Sequence, residues 1–439
     1  MTISEARRTD IIGAIRNGTV PRAGLDQLAV GLSPFEGAFD EELTRARTGS
    51  GVFKCVRGEY GSGKTFITRW LSERAKQEGF ATAEVQISET ETPLHRLETV
   101  YRRIVERLST STVPNGALRT VLDSWFYHLE EDILEKGEID EDDNDALIAA
   151  TNELAERRLG DITREAPMFS AVLRGYRDAV ARGDGATADG LIAWLGGQPN
   201  VAAGVKRQAG IKGDLDHFGA LSFLQALLVV LKDAGHPGLL VVLDEVETLQ
   251  RVRSDVRDKG LNALRQLVDE VDSGRFPGLY LVITGTPAFY DGNQGVQRAE
   301  ALASRLATDF NPNPKFDNPR AIQIRLSGFS LESLTEVGVR VRDLYADGST
   351  NTDRIREKVD DAYIQGLARA VTGGLGGNVG VAPRLFLKKL VGGVLDVVDL
   401  HADFNPREDY VLKVSDSELT VEESAAAANQ SMDDIELEL

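Results

Sequence analysis

Apolar segments of strand length alternate along this chain with amphipathic segments of helix length. Strands are predicted at Gly51–Val56, Ala81–Ile87, Gly238–Leu243, Leu279–Thr284 and Ala321–Leu326. Helices between and after them are predicted at Thr65–Gln77, Leu94–Leu108, Phe218–Asp233, Leu261–Asp272 and Gln297–Ala307. Strands separated by helices are typical of a parallel sheet covered on both faces, so we expect an α/β fold with a parallel sheet flanked by helices.

The patterns outside these segments divide the chain into regions. The regions are an N-terminal segment of helices and loops at 1–50, a sheet unit at 51–328, a helical domain at 329–400, a short extension at 401–413 and an acidic tail at 414–439. The sheet unit contains a helical insertion at about 110–215, and because Trp125 and Trp194 lie in it, part of it should pack against a core. The tail is expected to be disordered, because it has almost no large apolar residues before its end.

The net charge of −19 comes mostly from two short stretches. Residues 130–145 hold ten acids and one lysine, and the chain after Lys413 holds eight acids and no base, which leaves 51 acids and 49 bases elsewhere. A uniformly acidic surface would repel nucleic acid, whereas two separable acidic segments leave room for a basic groove. The composition therefore does not exclude DNA as a partner.

The cysteine content and the N-terminal sequence bear on the compartment. Cys55 is the only cysteine and cannot form an internal disulfide, which favours a reducing environment. The N-terminus lacks the apolar core of a signal peptide, and the longest apolar stretches are much shorter than a membrane span. We therefore expect a cytoplasmic protein with no membrane partner.

The segment GEYGSGKT, residues 58–65, follows a predicted strand, opens a predicted helix and fits the phosphate-loop pattern G-x-x-x-x-G-K-[ST]. Its glycines allow backbone N–H groups to surround the phosphates of ATP. Lys64 is expected to contact the β and γ phosphates, and the Thr65 hydroxyl to bind Mg²⁺. The residues expected to bind the nucleotide here are Gly58, Tyr60, Gly61, Ser62, Gly63, Lys64, Thr65 and Phe66. The alternative, a chance glycine-rich turn, does not account for the flanking strand and helix.

The segment LLVVLDE, residues 239–245, has the pattern of a Walker B strand, with five apolar residues followed by two acids. Asp244 is expected to hold Mg²⁺ through water, and Glu245 to orient and polarise the water that attacks the γ-phosphate. The alternative is a pair of acids that cap a buried strand. Glu247 is interpreted as a solvated helix residue.

Four further residues are candidates for sensing or completing the site. Thr284 or Thr286, at the end of the next strand, is expected to sense the γ-phosphate, although strand termination alone also explains a threonine there. Arg305 is a candidate arginine finger that acts on a neighbouring subunit's nucleotide, with a solvated helix arginine as the alternative. Arg384, in the segment GVAPRLFL of the helical domain, is a candidate for reaching back to the γ-phosphate.

Two more residues are assigned from their position alone. Pro21 and Arg22 precede the phosphate loop, where a chain that wraps around the adenine is expected, so they are candidates for the base pocket. The five histidines are scattered without metal-ligand spacing and are interpreted as ordinary surface or core residues.

Taken in order, GEYGSGKT, LLVVLDE, LYLVITGT, ASRL and VAPRLFL resemble the motifs of an AAA+ ATPase. The spacing of Arg305 and the following residues 322–326 is most similar to the Orc/Cdc6-like branch. The opening, from Asp10 through GTVPRAGL to VRGEYGSGKT, resembles the BrxD-like ATP-binding proteins of BREX phage-defence systems, and the likeness covers roughly residues 8–108 and 218–395. It implies an AAA+ P-loop core with a C-terminal helical lid, ATP and Mg²⁺ as cofactors, and a homo-oligomer.

The resemblance also implies partners. A defence ATPase of this kind is expected to act with a superfamily 2 helicase and to share DNA with it as substrate. Orc/Cdc6 proteins carry a winged-helix DNA-binding domain after the lid, but only about 40 residues remain here, and the acidic tail makes up over half of them. DNA contact is therefore expected at the AAA+ core or at the insertion.

Two functions of different classes remain open. An ATP-dependent switch or loader would assemble on DNA or on a helicase and would use an arginine finger in trans. A STAND-like signalling ATPase would recruit an effector through its insertion or tail without touching DNA. A metabolic kinase fits less well, because a long helical lid domain suits a mechanical switch better.

Overall fold

The computed structural model describes residues 3–137, 139–140, 143–160, 166–375, 380, 382–420 and 423–424. Five strands of these residues form one sheet in the order β2-β3-β4-β1-β5, and every neighbouring pair is parallel. The strands are β1 Val52–Arg57, β2 Ala81–Gln86, β3 Leu239–Asp244, β4 Leu279–Gly285 and β5 Gln323–Arg325. The predicted α/β fold with a parallel sheet flanked by helices is confirmed.

The strand order brings distant motifs to one edge of the sheet. β4 lies between β1 and β3, with Val56 opposite Thr284 and Leu243 opposite Ile283. On the far side of β3, Gln86 of β2 is opposite Asp244. Since all strands run in the same direction, their carboxyl ends meet at this edge, which is where open parallel sheets bind ligands.

The helices match the predicted ones closely, with the largest difference at a helix that begins at Ser254 rather than Leu261. In chain order the α-helices are α1 Glu5–Arg16, α2 Ser33–Arg47, α3 Lys64–Gln77, α4 Leu97–Glu106, α5 Leu118–Leu134, α6 Asn144–Leu159, α7 Pro167–Ala181, α8 Gly185–Leu195, α9 Ala203–Gln208, α10 His217–Asp233, α11 Ser254–Asp272, α12 Pro287–Asp291, α13 Glu300–Leu306, α14 Leu331–Ala346, α15 Thr352–Lys358, α16 Asp361–Gly373, α17 Pro383–Lys388 and α18 Asp396–Leu400. A π-helical stretch, Lys389–Leu395, joins α17 to α18.

Helices cover the sheet on both faces, and the inner strand β3 is apolar on both. In β3, Leu240 and Val242 contribute to the core shared with α2 and α3, while Leu239, Val241 and Leu243 contribute to the core on the opposite face. All six residues of β3 are buried. A strand that is buried on both faces reads as a continuous apolar run, which explains why LLVVL shows no alternation.

The helices α5 to α9, which correspond to the predicted insertion, extend the core of the sheet unit. Trp125 and Trp194 are buried, which confirms that this region packs against a core. The indole N–H of Trp125 donates to Asp233 at 2.7 Å, and the ring of Trp194 lies 5.7 Å from that of Phe223 in α10. Both contacts fasten the middle of the chain to a helix that covers the sheet.

A separate apolar cluster joins α1 to the helices α14 to α18. Ile11, Ile12 and Ile15 of α1 are buried in it, and Arg16 forms an ion pair with Asp396 at 2.7 Å. In contrast, α2 packs on the sheet. Residues 1–50, which the sequence treats as one segment, are thus divided between two cores.

The first part of the predicted acidic tail packs on the C-terminal helices. Residues 414–420 and 423–424 lie against the C-terminal helices, with a short 3₁₀ helix at Asp416–Glu418. Val414 and Leu419 pack against the same apolar cluster, and Glu418 forms an ion pair with Lys389 at 2.6 Å. Glu418 and Glu423 thus have lysine and arginine partners, while the disorder expected for 414–439 stays a prediction. Residues 421–422 and 425–439 lie outside the described part of the chain.

Candidate nucleotide-binding site

The loop at residues 58–65 has the conformation that its glycines predict. Gly61 and Gly63 have φ angles of 77° and 92°, in the left-handed region that other residues adopt only under strain. A Cβ at Gly58 would lie 2.3 Å from the hydroxyl of Ser62, so a larger residue here would displace that side chain. The loop leaves β1 and leads directly into α3, which places the first backbone N–H groups of that helix at the edge of the sheet.

Lys64 is buried, with 8% of its surface exposed, and its ammonium group is held by the loop itself. Nζ donates to the carbonyl oxygens of Gly58 at 2.8 Å and Glu59 at 3.2 Å. Burial lowers the pKa of Lys64, and the nearby carboxylates, that of Glu247 first, oppose this effect. A charged group held by two backbone carbonyls in a cavity can exchange them for phosphate oxygens at little cost.

Asp244 connects three elements at this edge. Its Oδ2 accepts a hydrogen bond of 3.1 Å from the Thr65 hydroxyl, and its Oδ1 accepts one from the Thr284 hydroxyl. These bonds join α3, β3 and β4 at the carboxyl end of the sheet. A hydroxyl and a carboxylate side by side are oxygen donors of the kind that Mg²⁺ prefers, so the residues present fit this ion.

Glu245 is held by two neighbours in an uncommon backbone conformation. Its φ of 60° places a non-glycine residue in the left-handed region, which is typical of functional sites. Its N–H donates to the Thr284 hydroxyl at 3.1 Å, and its carboxylate accepts from the side chain of Gln86 at 2.9 Å. The sequence interpretation missed Gln86, although a polar residue at the end of β2 was the available signal.

The two threonine candidates have different surroundings. Thr284 is fully buried and contacts both Asp244 and Glu245. Thr286 is also buried, but its carbonyl accepts the N–H of Phe289 at the start of α12. Of the two, the structure brings only Thr284 into the carboxylate network.

Glu247 lies in the site rather than in solvent, and its interpretation as a solvated helix residue is wrong. Only 3% of its surface is exposed, and neither carboxylate oxygen has a hydrogen-bond partner among the described residues. It lines the same cavity as Lys64, and burial raises its pKa. Sequence spacing missed this because residues 246–250 form a tight 3₁₀ helix that turns inward after β3.

A cavity of about 870 Å³ opens above the phosphate loop. Its walls come from the loop and α3, from residues 18–35, from residues 313–333 and from the start of α17. Pro21 and Phe66 line it together with other apolar side chains, as a purine pocket requires, whereas Arg22 is exposed and is not among the lining residues. The volume is in the range of small-molecule sites.

Hydrogen bonds hold the irregular segment of residues 18–32 over this cavity. The carboxylate of Glu73 accepts the backbone N–H groups of Gly24 at 2.7 Å and Leu25 at 2.8 Å. Arg69 donates to the carbonyl of Val20 at 2.7 Å. Both side chains belong to α3, so the helix that begins with Lys64 also positions the wall of the pocket.

The two arginine candidates lie in different places. Arg305 forms an ion pair with Asp269 and donates to the carbonyl of Ala301 at 3.0 Å, and it is not among the residues that line the cavity. Arg384 does line the cavity and pairs with Glu423. Of these two candidates, only Arg384 lies near the nucleotide pocket of its own chain.

The family of the chain follows from a comparison with known families. Residues 3–414 match the family described as BREX system ATP-binding protein BrxC/D. The chain belongs to this family. The match covers the phosphate loop, the carboxylates of β3 and the helical region that holds Arg384. ATP is therefore the ligand of the chain, and the setting is phage defence.

Two other findings complete the comparison. No curated protein matches the chain. In the part of the chain that the structure describes, no helix is both long enough and apolar enough to cross a bilayer.

Proposed function

We propose that this BREX protein hydrolyses ATP in an Mg²⁺-dependent reaction and uses the cycle as a switch in phage defence. The observation that carries the proposal is the network in which Asp244 meets Thr65 and Thr284 while Glu245 is held by Gln86. A site that only bound ATP would have no need of a second, separately oriented carboxylate at the end of β3.

Each residue of the network has a role in this proposal. Lys64 and the N–H groups of the loop would bind the β and γ phosphates, and Thr65 with Asp244 would hold Mg²⁺. The ion, when bound, supplies positive charge to the phosphate oxygens. Glu245 orients water toward the γ-phosphate, and Gln86 and Thr284 fix its position.

We propose further that the core is an AAA+ ATPase of the Orc/Cdc6-like branch, with the helices of residues 329–400 as its lid and the insertion at about 110–215 packed on its sheet. The cavity supports this assignment, because both the sheet unit and the C-terminal helices line it. Arg384 would contact the γ-phosphate from the lid, and Arg305 would complete the site of a neighbouring subunit in a homo-oligomer.

The resemblance to BREX and Orc/Cdc6-like proteins supports DNA and a helicase as partners. In this proposal the protein works in the cytoplasm, where ATP-bound subunits assemble on DNA, load or regulate a superfamily 2 helicase, and are reset by hydrolysis. In the STAND-like alternative, assembly needs ATP but not DNA.

Mass measurement of the Glu245→Gln variant tests the proposal, since this variant should retain bound ATP. We expect assemblies larger than one chain with ATP and Mg²⁺, and a further increase when DNA is added. Lys64→Ala is the control and should stay in the smaller form. ATP-driven assembly that does not change when DNA is added would favour the signalling alternative. The absence of assembly in every condition would contradict the proposed switch.

A further inference from the structure

The ordered part of the acidic C-terminal segment lies on a basic face of the last helices. Glu418 forms ion pairs with Lys389 at 2.6 Å and with Lys388 at 3.9 Å. Glu423 pairs with Arg384 through both carboxylate oxygens. Three ion pairs thus hold Glu418 and Glu423 beside the nucleotide cavity.

The contact with Arg384 uses one complete edge of the guanidinium group. Nε donates to Glu423 at 3.0 Å, and Nη2 donates to the same carboxylate and to the carbonyl of Glu418 at 2.5 Å. The Glu423 side chain is 4% exposed, and its carboxylate also accepts the N–H of Thr420 at 2.8 Å. A carboxylate that is this buried and this well satisfied is part of the packed structure.

A bidentate phosphate contact with Arg384, whether side-on or end-on, needs Nη2, and both Glu423 and the carbonyl of Glu418 already accept from Nη2. Arginine binds carboxylates and phosphates with the same paired N–H groups, and two anions cannot occupy one pair at once. Arg384 lines the cavity that contains Lys64, and a Cβ added to Gly18, another lining residue, would be 3.1 Å from Nη1. In the structure, Arg384 is therefore close to the nucleotide pocket but already neutralised.

We propose that Glu423, together with Glu418, is an intramolecular acidic ligand that occupies Arg384 until the γ-phosphate of ATP displaces it. This inference rests on the proposed role of Arg384 at the γ-phosphate. ADP lacks that phosphate and leaves the segment in place. Release of the segment therefore changes the protein surface only when ATP is bound. The freed acids and the freed face of Lys388 and Lys389 are then available to a partner.

Glu423→Gln in the full-length chain is the direct test, because it removes the charge and keeps the shape of the side chain. Equilibrium binding of fluorescent ATP and ADP analogues should show ATP bound roughly threefold to tenfold more tightly, with ADP affinity unchanged. Glu408→Gln removes one charge from an exposed residue nearby and is the matched control, which should change neither affinity. Unchanged or weaker ATP binding by Glu423→Gln would overturn the proposal.

The variant Arg384→Ala separates this inference from the proposed function. If Arg384 contacts the γ-phosphate, Arg384→Ala weakens ATP binding but not ADP binding, and adding Glu423→Gln to it has no further effect. If Arg384→Ala leaves ATP affinity unchanged, the assigned role of the arginine fails. If it weakens ATP binding while Glu423→Gln alone does nothing, only the acidic segment is excluded.

Thermal unfolding of each variant shows whether it folds. Should Glu423→Gln not fold, Glu418→Gln is the deciding variant, since it weakens the ion pairs of the same segment with Lys388 and Lys389. A tighter affinity for ATP, specific to ATP, supports the proposal, and an equal change for ADP or no change contradicts it.

Discussion

The sheet unit and the C-terminal helical unit contribute to the same cavity in different ways. The sheet unit contributes Lys64, Thr65, Asp244 and Glu245, which lie in or directly after strands and loops that the sequence marks clearly. The helical unit contributes Arg384, whose partner in the structure is an acid 39 positions further along the chain. Side chains of the first set contact one another at the edge of the sheet, whereas Arg384 is paired with Glu423.

In the proposed function, the sheet unit would carry out the chemistry and the helical unit would regulate it. In the sheet unit, side chains bond to each other across α3, β3 and β4, and the buried carboxylate of Glu247 still lacks a partner among the described residues. In the helical unit, the cation nearest the cavity is neutralised. ATP is expected to complete the first arrangement and to disrupt the second.

The largest effect should come from Lys64→Ala, which removes the only side-chain ammonium at the phosphate loop. We expect ATP affinity to fall by at least about 100-fold, because two charge-assisted hydrogen bonds of about 1.5–3 kcal/mol each are lost. Equilibrium binding of a fluorescent ATP analogue measures it. Lys232→Ala, at an exposed position in α10, is the control, and equal effects of the two would exclude the loop as the nucleotide site.

Glu245→Gln should separate binding from hydrolysis. The amide still accepts a hydrogen bond from Gln86 but no longer polarises water, so ATP affinity should be unchanged while turnover falls by about 10²-fold or more. Phosphate release under saturating ATP measures turnover. Activity equal to that of the native chain would remove Glu245 from the mechanism and leave the sheet unit as a binding site alone.

Arg305 should act on a neighbouring subunit, since it does not line the nucleotide cavity of its own chain. Arg305→Ala is expected to lower turnover by about tenfold, less than the 10³–10⁵ of GTPase arginine fingers. Mixing Lys64→Ala subunits with Arg305→Ala subunits should restore part of the activity. Mixing Lys64→Ala with the double variant should not, and recovery in neither mixture would contradict action in trans.

Glu247→Gln should stabilise the nucleotide-free protein at neutral pH. Burial raises the pKa of Glu247, so between its unfolded and folded pKa values the folded state holds more protons and stability falls as pH rises. The glutamine variant does not lose stability in this way. Its free energy of unfolding should exceed that of the native chain by about 1 kcal/mol at about pH 8 and by less at about pH 5.5. Denaturant unfolding measures it against Glu408→Gln, and a destabilised variant would show that Glu247 is paired in solution.

Most of the sheet unit could be predicted from sequence because its signals are local. Strands buried on both faces are continuous apolar runs, and the φ angles at Gly61 and Gly63 require glycine whatever surrounds them. The proximity of residues 58–65 to Asp244 followed from the rule that parallel strands end at one edge. Gln86 was missed because nothing in the sequence states that β2 lies beside β3.

The sequence by itself determined the class of fold, the phosphate loop and the carboxylates that face it, since each depends on residues within about eight positions of one another. Only the tertiary structure decided that α1 packs with the C-terminal helices, that Glu247 is buried and that Glu423 meets Arg384. These are contacts between segments whose patterns are individually ordinary. Charge composition alone predicts a solvated acidic tail, and whether such acids are solvated or paired depends on which basic face the fold brings within hydrogen-bonding distance.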